Sequence, residues 1–156
     1  MTTFRGGDKL QAKLAELAAI AGQNVSVRVG FLEGSTCGRN NNSSAPQVAY
    51  LLEHGTKFMP PRPFFRQMID ASSPAWGDAL GKQITATGYE PEETMSRMGE
   101  LLKQQLQQSI IDFDDPPDSD ATIARKQFKH GASATLIDSG NMLNAVAYEL
   151  GGEVSA

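Results

Sequence analysis

Apolar residues recur along the chain first with the period of a helix and then with the period of a strand. Leu10, Leu14 and Leu17 are spaced by three and four residues, which predicts an amphipathic helix that ends at Gly22. Residues 25–31 then alternate between apolar and small or polar side chains. That period of two predicts a half-buried strand of an antiparallel sheet.

Prolines divide the middle of the chain into segments with helical patterns. Pro46 is well placed to open a short helix that ends at Gly55, and Pro63 can open a second helix. We expect Pro74 to interrupt that second helix, because proline inside a helix removes a backbone hydrogen bond. A new helix is then predicted to run from Pro74 to about residue 85.

The longest helix is predicted to begin near Glu90, where Pro91 and the acids after it suit a first helical turn. We expect its apolar stripe to be a main part of the core, and this stripe consists of Met95, Met98, Leu102, Leu106 and Ile110. Residues 144–150 alternate weakly, which predicts a last strand.

This order of elements predicts an α+β fold, with a small antiparallel sheet packed against helices. The 156 residues suit one domain, so residues 1–156 are assigned to a single unit. Two segments have no periodic pattern. Residues 33–45 are predicted to be a long flexible loop, and residues 112–120 are predicted to be a solvated acidic loop.

Residues 56–66 form a third irregular segment, rich in proline and phenylalanine. Its prolines favour an extended arm, and arginines and aromatic rings are common anchors of protein interfaces. We therefore predict a subunit interface at Pro60, Pro61, Arg62, Pro63, Phe64, Phe65 and Arg66. In the alternative, both rings belong to the core of the domain and the arginines are merely solvated. A mixed outcome, with one ring turned inward and the other outward, is a third possibility.

Candidate chemistry is sparse. The acidic loop departs from a calcium-binding loop, because Pro116, Pro117 and Ile123 occupy positions that require other residues. The two histidines and the single cysteine, Cys37, form no zinc-binding spacing and no convincing nucleophile with its base. We expect no enzyme activity and no cofactor. We also expect no membrane span, because no apolar run approaches the roughly 18 residues that a span requires.

The charge distribution favours protein partners over nucleic acid. The net charge is −4, and residues 1–78 contribute +2 whereas residues 79–156 contribute −6. Unlike charges suit head-to-tail stacking between subunits, although the acidic loop alone can account for the difference. A nucleic-acid-binding module remains an alternative, with Arg28, Lys57, Arg62 and Arg66 beside the phenylalanine rings.

The proline-rich segment resembles a known family. Gly55-Thr56, a short spacer and Pro60-Pro61-Arg62-Pro63-Phe64-Phe65-Arg66 are similar to the signature of the tail-completion (neck) proteins of long-tailed bacteriophages. Three further segments resemble the family in the same order, namely residues 25–31, 48–53 and 136–146. Ser139 stands where the family more often has threonine.

The resemblance implies a structural virion protein that forms a ring, expected to be a hexamer, at the top of the tail. Its implied partners are further copies of itself, tail-terminator or tail-tube proteins and the head–tail connector proteins. DNA would pass through the ring without sequence-specific binding, and assembly would occur in the cytoplasm of the bacterial host. A tail-terminator or head-closure ring is the nearest alternative, since small α+β ring proteins occupy all these layers.

Overall fold

The computed structural model describes residues 7–21, 24–31, 34–37, 43–131, 134–137 and 140–152. Within these residues the helices are α1 (Gly7–Ala21), α2 (Ala45–His54), α3 (Phe64–Ala86), α4 (Pro91–Asp112), α5 (Asp120–His130) and α6 (Asn141–Asn144). The strands are β1 (Val25–Phe31), β2 (Thr36–Cys37), β3 (Ser43–Ser44) and β4 (Val146–Gly152). Small antiparallel strands packed against helices confirm the predicted α+β fold.

The principal sheet joins the first and last long strands. β1 and β4 are antiparallel, with Val29 opposite Tyr148 and Arg28 opposite Glu149. Tyr148 faces α4, because its hydroxyl lies 3.0 Å from Oγ of Ser96. The Arg28–Glu149 pair is exposed on the opposite side of the sheet. The period of two therefore directs the valines of β1 toward α4, as the sequence pattern predicts.

The core lies where α3 and α4 pack together beside this sheet. Phe64, Leu106 and Ile110 are its largest fully buried side chains. Trp76 of α3 donates a hydrogen bond from Nε1 to Oε1 of Gln105 on α4, with a length of 2.9 Å. Of the predicted stripe on α4, Met98, Leu106 and Ile110 are buried, and Met95 and Leu102 are half-buried.

The predicted interruption at Pro74 is wrong. α3 is continuous over 23 residues, and Pro74 lies inside it. Pro74 is exposed, so the carbonyl that loses its helical donor can bind water instead. The opposite side of α3 packs against α4, and this packing holds the helix together across the proline.

The predicted loop at 33–45 is partly ordered. Thr36 pairs with Ser44 in a short antiparallel ladder, and the backbone N–H of Ala45 donates to the carbonyl of Ser35 at 2.9 Å. Ala45 is fully buried as the first residue of α2. Residues 33 and 38–42 lie outside the described part of the chain, so the flexibility of the loop stays a prediction. Ser139, where the family more often has threonine, also lies outside the described part of the chain.

Candidate functional site

The proline-rich segment 56–66 lies against α2 for part of its length. Thr56 and Met59 exchange backbone hydrogen bonds of 2.9 and 3.3 Å, which close a tight turn with Lys57 and Phe58 at its tip. The chain then extends to Pro63, and the N–H of Arg62 donates to the carbonyl of Leu52 at 2.7 Å. The arm is therefore a turn, followed by a short extended strip and then by the start of α3.

Gly55 makes this close return of the chain possible. Its φ of 74° lies in the left-handed region, and a Cβ atom there would lie 2.7 Å from the backbone nitrogen of Pro61. Only glycine combines that backbone angle with that approach. Gly55 therefore has a direct structural role at the start of the proline-rich segment.

The two phenylalanines of the predicted interface have different environments. Phe64 is buried, with its ring 6.3 Å from that of Phe31 in an edge-to-face arrangement. Phe64 is therefore a core residue, as the alternative prediction expected for both rings, and its ring is not available to a neighbour. Phe65 is only half-buried, near Gly30 of β1. Pro60 and Pro61 are exposed, and Pro63 is half-buried at the start of α3.

Arg66 helps to attach α3 to α2. Glu53, which is buried near the end of α2, accepts hydrogen bonds from the backbone N–H groups of Phe65 at 3.0 Å and Arg66 at 3.2 Å. The Arg66 side chain donates from Nε to the same carboxylate at 2.9 Å. Pro63 supplies no side-chain cap for α3, so Glu53 satisfies these free donors from another helix. Sequence reasoning missed this role of Glu53, because only the folded chain brings it to α3.

Arg62 belongs to a buried cluster of three charged side chains. Its Nη2 lies 2.7 Å from Oδ1 of Asp118, and Lys126 Nζ lies 2.6 Å from Oδ2 of the same carboxylate. Lys126 also donates to the carbonyls of Ala134 at 3.0 Å and Thr135 at 2.7 Å. All three charged side chains are at least nine-tenths buried. The cluster, Arg62–Asp118–Lys126, holds two cations around one anion.

The position of Asp118 corrects the prediction for the acidic loop. The prediction of a solvated loop is right for Asp114 and Asp115, which are exposed, but wrong for Asp118. Its carboxylate is drawn inward because it meets two cations, one from the proline-rich segment and one from α5. Nothing in the local run of acids distinguishes Asp118 from its neighbours.

A cavity of about 700 Å³ lies beside this cluster. Arg62, Asp118 and Lys126 line it, together with Arg125 of α5. Apolar side chains form much of the remaining wall, including Val48, Leu52, Leu136, Ile137 and Met142. Phe58, Met59 and Pro60 of the proline-rich segment also line the cavity. The exposed turn and the cavity are therefore parts of one continuous surface.

Several large apolar side chains are exposed on the surface of the described chain. Phe58 is 92% exposed at the tip of the turn, and Phe128 is 91% exposed on α5. Leu10 and Leu14 of α1 are more than half exposed. Every side chain of α1 whose burial the structure describes is exposed, although the helix is amphipathic in sequence.

The cations proposed for nucleic-acid binding do not form a free basic surface. Arg28 pairs with Glu149, Arg66 with Glu53, and Arg62 with Asp118. Only Lys57 of these four has no carboxylate partner in the described part of the chain, and its Nζ lies 5.8 Å from the centre of the Phe58 ring.

The described residues contain no group of His, Cys, Asp and Glu side chains arranged to hold a metal ion. None of the described helices is long and apolar enough to cross a membrane. His54 stacks on Tyr50 with ring centres 4.2 Å apart, while the side chains of Cys37 and His130 lie outside the described part of the structure. No protein-family model, curated protein or solved structure shows significant similarity to the chain.

Proposed function

We propose that this chain is a structural protein of a bacteriophage neck. Copies of it form a ring at the top of the tail, and the ring joins the tail to the head connector. The family resemblance of the proline-rich segment and its flanking segments suggests this role. The exposed apolar surfaces of the chain are the structural support for an assembly role.

The observation that supports assembly most directly is the exposure of α1. Leu10 and Leu14 lie on one side of this helix, 58% and 57% exposed, and the other described residues leave them uncovered to that extent. Covering a leucine side chain contributes about 1.5–3 kcal/mol. A neighbouring subunit that packs on α1 would therefore gain several kcal/mol from these two residues alone.

The turn at residues 56–59 is a second contact surface. It presents Phe58 on a backbone that Gly55 and the following prolines restrict, so binding it costs little conformational entropy. The set of residues proposed for the interface therefore differs in part from the predicted one. Phe58, the exposed Pro60 and Pro61, the half-buried Phe65 and the exposed stem of Arg66 can meet a neighbour, whereas the Phe64 ring is enclosed.

A ring needs two different surfaces on each subunit, because every copy contacts one neighbour on each side. α1 and the turn at 56–59 are suitable partners for this head-to-tail contact, since both are apolar and lie far apart in the sequence. The acidic residues of the second half of the chain would let DNA pass through a ring without tight binding, because like charges repel.

Assembly can be tested with the purified protein by light scattering after size-exclusion chromatography. Leu10→Ser/Leu14→Ser and Phe58→Ser should each shift the protein from a ring to a folded monomer. The double change removes about 2–3.5 kcal/mol per contact, because each leucine is little more than half exposed, and that is more than tenfold in the association constant. Phe64→Ser is the contrasting control, because it should unfold the chain. A wild-type protein that stays monomeric alone and with tail or connector proteins would refute the proposal.

The role in the particle requires a test in the phage or prophage that encodes the chain. Deleting the gene should leave DNA-filled heads and separate finished tails, visible by electron microscopy of the lysate. Tails of uncontrolled length would indicate the tail-terminator role instead. Intact particles would exclude the neck function.

A further inference from the structure

We propose that the cavity beside Arg62, Asp118 and Lys126 binds a carboxylate on an apolar peptide segment of a partner subunit. The inference rests on the proposed function only for the identity of the partner. The binding chemistry follows from the cavity itself.

The charges that line the cavity favour an anion. Arg62, Arg125 and Lys126 contribute three positive charges against the single negative charge of Asp118. Lys126 already has two carbonyls and the carboxylate of Asp118 around its ammonium group. Arg125 is exposed and has no carboxylate partner among the described residues. The described lining residues therefore carry a net charge of +2, and part of it lies on Arg125, which has no carboxylate partner among them.

Arg62 adds a guanidinium group to this wall. Its Nη2 donates a hydrogen bond to Asp118, and its buried Nε has no hydrogen-bond partner among the described residues. The positive charge of the guanidinium group attracts an anion in the cavity, because charge acts beyond hydrogen-bond distance. The planar guanidinium group matches a carboxylate better than any other common biological acceptor except phosphate.

The apolar wall indicates what the carboxylate is attached to. Leu52, Leu136 and Met142 face the same space as the charged cluster, so a fully hydrated ion such as phosphate would leave that wall uncovered. A volume of about 700 Å³ lies within the range of about 300–1,000 Å³ that is usual for sites of ligands larger than a single ion. An acidic side chain next to large apolar residues on an extended peptide satisfies both parts of the cavity.

The place of the cavity indicates that the peptide comes from a partner subunit. Phe58, Met59 and Pro60 line the mouth and belong to the turn that we propose as a contact surface. A neighbour that covers this turn brings its own chain to the mouth of the cavity. The cavity therefore extends the proposed interface inward and gives it a charge-specific contact.

Binding can be measured by fluorescence anisotropy, with the full chain and a fluorescein-labelled peptide amide of sequence Gly-Leu-Asp-Leu. The matched control peptide has Asn in place of Asp. We expect the Asp peptide to bind at least tenfold more tightly, because a hydrogen bond between charged groups replaces a neutral one. Binding should also weaken as the salt concentration rises, since part of the site is open to solvent.

Variants of the protein test whether the peptide binds in the cavity. Arg125→Gln should weaken binding of the Asp peptide severalfold and leave that of the Asn peptide unchanged. The stability of the Arg125→Gln variant should equal that of the wild type, because Arg125 makes no ion pair among the described residues. Arg97→Gln is the matched control, since Arg97 lies on α4 and pairs with Glu93 outside the cavity.

Equal binding of the Asp and Asn peptides, or no effect of Arg125→Gln, would overturn the proposal. Displacement of the Asp peptide by inorganic phosphate at constant ionic strength, to the same extent as by the unlabelled peptide at equal concentration, would also overturn it, because the site would then be a simple anion site. The two proposals can fail separately. A monomeric protein that binds the Asp peptide would refute the ring and keep the cavity, whereas a ring-forming protein whose monomeric Leu10→Ser/Leu14→Ser variant does not bind the peptide would refute only the cavity.

Discussion

Replacing Asp118 by alanine tests whether the buried Arg62–Asp118–Lys126 cluster acts as one unit. The substitution removes the only anion from the cluster and leaves two cations that are each less than one-tenth exposed. Lys126 keeps the carbonyls of Ala134 and Thr135, but Arg62 loses the one side-chain hydrogen bond that it makes to a described residue. The cost is therefore expected to come mainly from Arg62.

The magnitude follows from the burial of these groups. Removing one partner from a buried ion pair typically destabilises a protein by about 3–5 kcal/mol, because the remaining charge stays buried without compensation. The neighbouring cavity admits water to one side of Arg62, so we expect about 3 kcal/mol for Asp118→Ala. That is a large part of the roughly 5–15 kcal/mol by which proteins of this kind are stable.

Urea unfolding measures this loss, with the fluorescence of Trp76 as the probe. Trp76 is the single tryptophan and is half-buried between α3 and α4. With a urea dependence of about 2 kcal/mol per M, the midpoint should fall by roughly 1.5 M. The control is Glu149→Ala, which removes the exposed partner of Arg28 and should change the stability by less than about 1 kcal/mol.

A second substitution separates a buried charge from a simple loss of contacts. Asp118→Ala/Lys126→Met should recover part of the lost stability, because it removes one of the two uncompensated cations. If Asp118→Ala lowers the free energy of unfolding no more than Glu149→Ala does, the cluster is not a buried ionic unit. The electrostatic argument for the cavity then fails as well.

Two further substitutions test contacts that the fold depends on, both by urea unfolding. Glu53→Gln should lower the stability by about 1–3 kcal/mol, because hydrogen bonds to a charged acceptor become neutral ones, whereas the exposed Glu93→Gln should have little effect. An unchanged Glu53→Gln protein would show that the carboxylate does not stabilise the start of α3. Gly99→Ala should cost about 1–3 kcal/mol, because its Cβ would overlap the ring of Tyr148, whereas Gly77→Ala in open space should stabilise by about 0.5–1 kcal/mol. Equal effects at both glycines would contradict the close packing of α4 on β4.

The regular elements could be predicted because their signals are local. The strand at 25–31 has the predicted bounds, and the stripe from Met95 to Ile110 lies on the side of α4 that faces the core. The predicted interruption at Pro74 was wrong, because a proline restricts only the local backbone, and the sequence does not show that another helix packs beside it. The burial of Asp118 was not predictable for a similar reason, since Arg62 lies 56 residues away in the sequence.

The predicted interface was limited in the same way, because the sequence does not show which of its side chains the fold buries. Its prolines, rings and arginines do mark an unusual segment, but the fold uses several of them internally. Phe64 fills the core, Arg66 joins α3 to α2, and Arg62 reaches the buried cluster. The most exposed large apolar side chain of the segment is Phe58, which precedes the prolines and which the sequence pattern alone did not single out. The arginines of the motif therefore stabilise the fold of the chain, and the turn before them is the surface that we propose for the contact. Substitutions of Arg62 should consequently impair both stability and assembly, whereas substitutions of Phe58 should impair assembly alone.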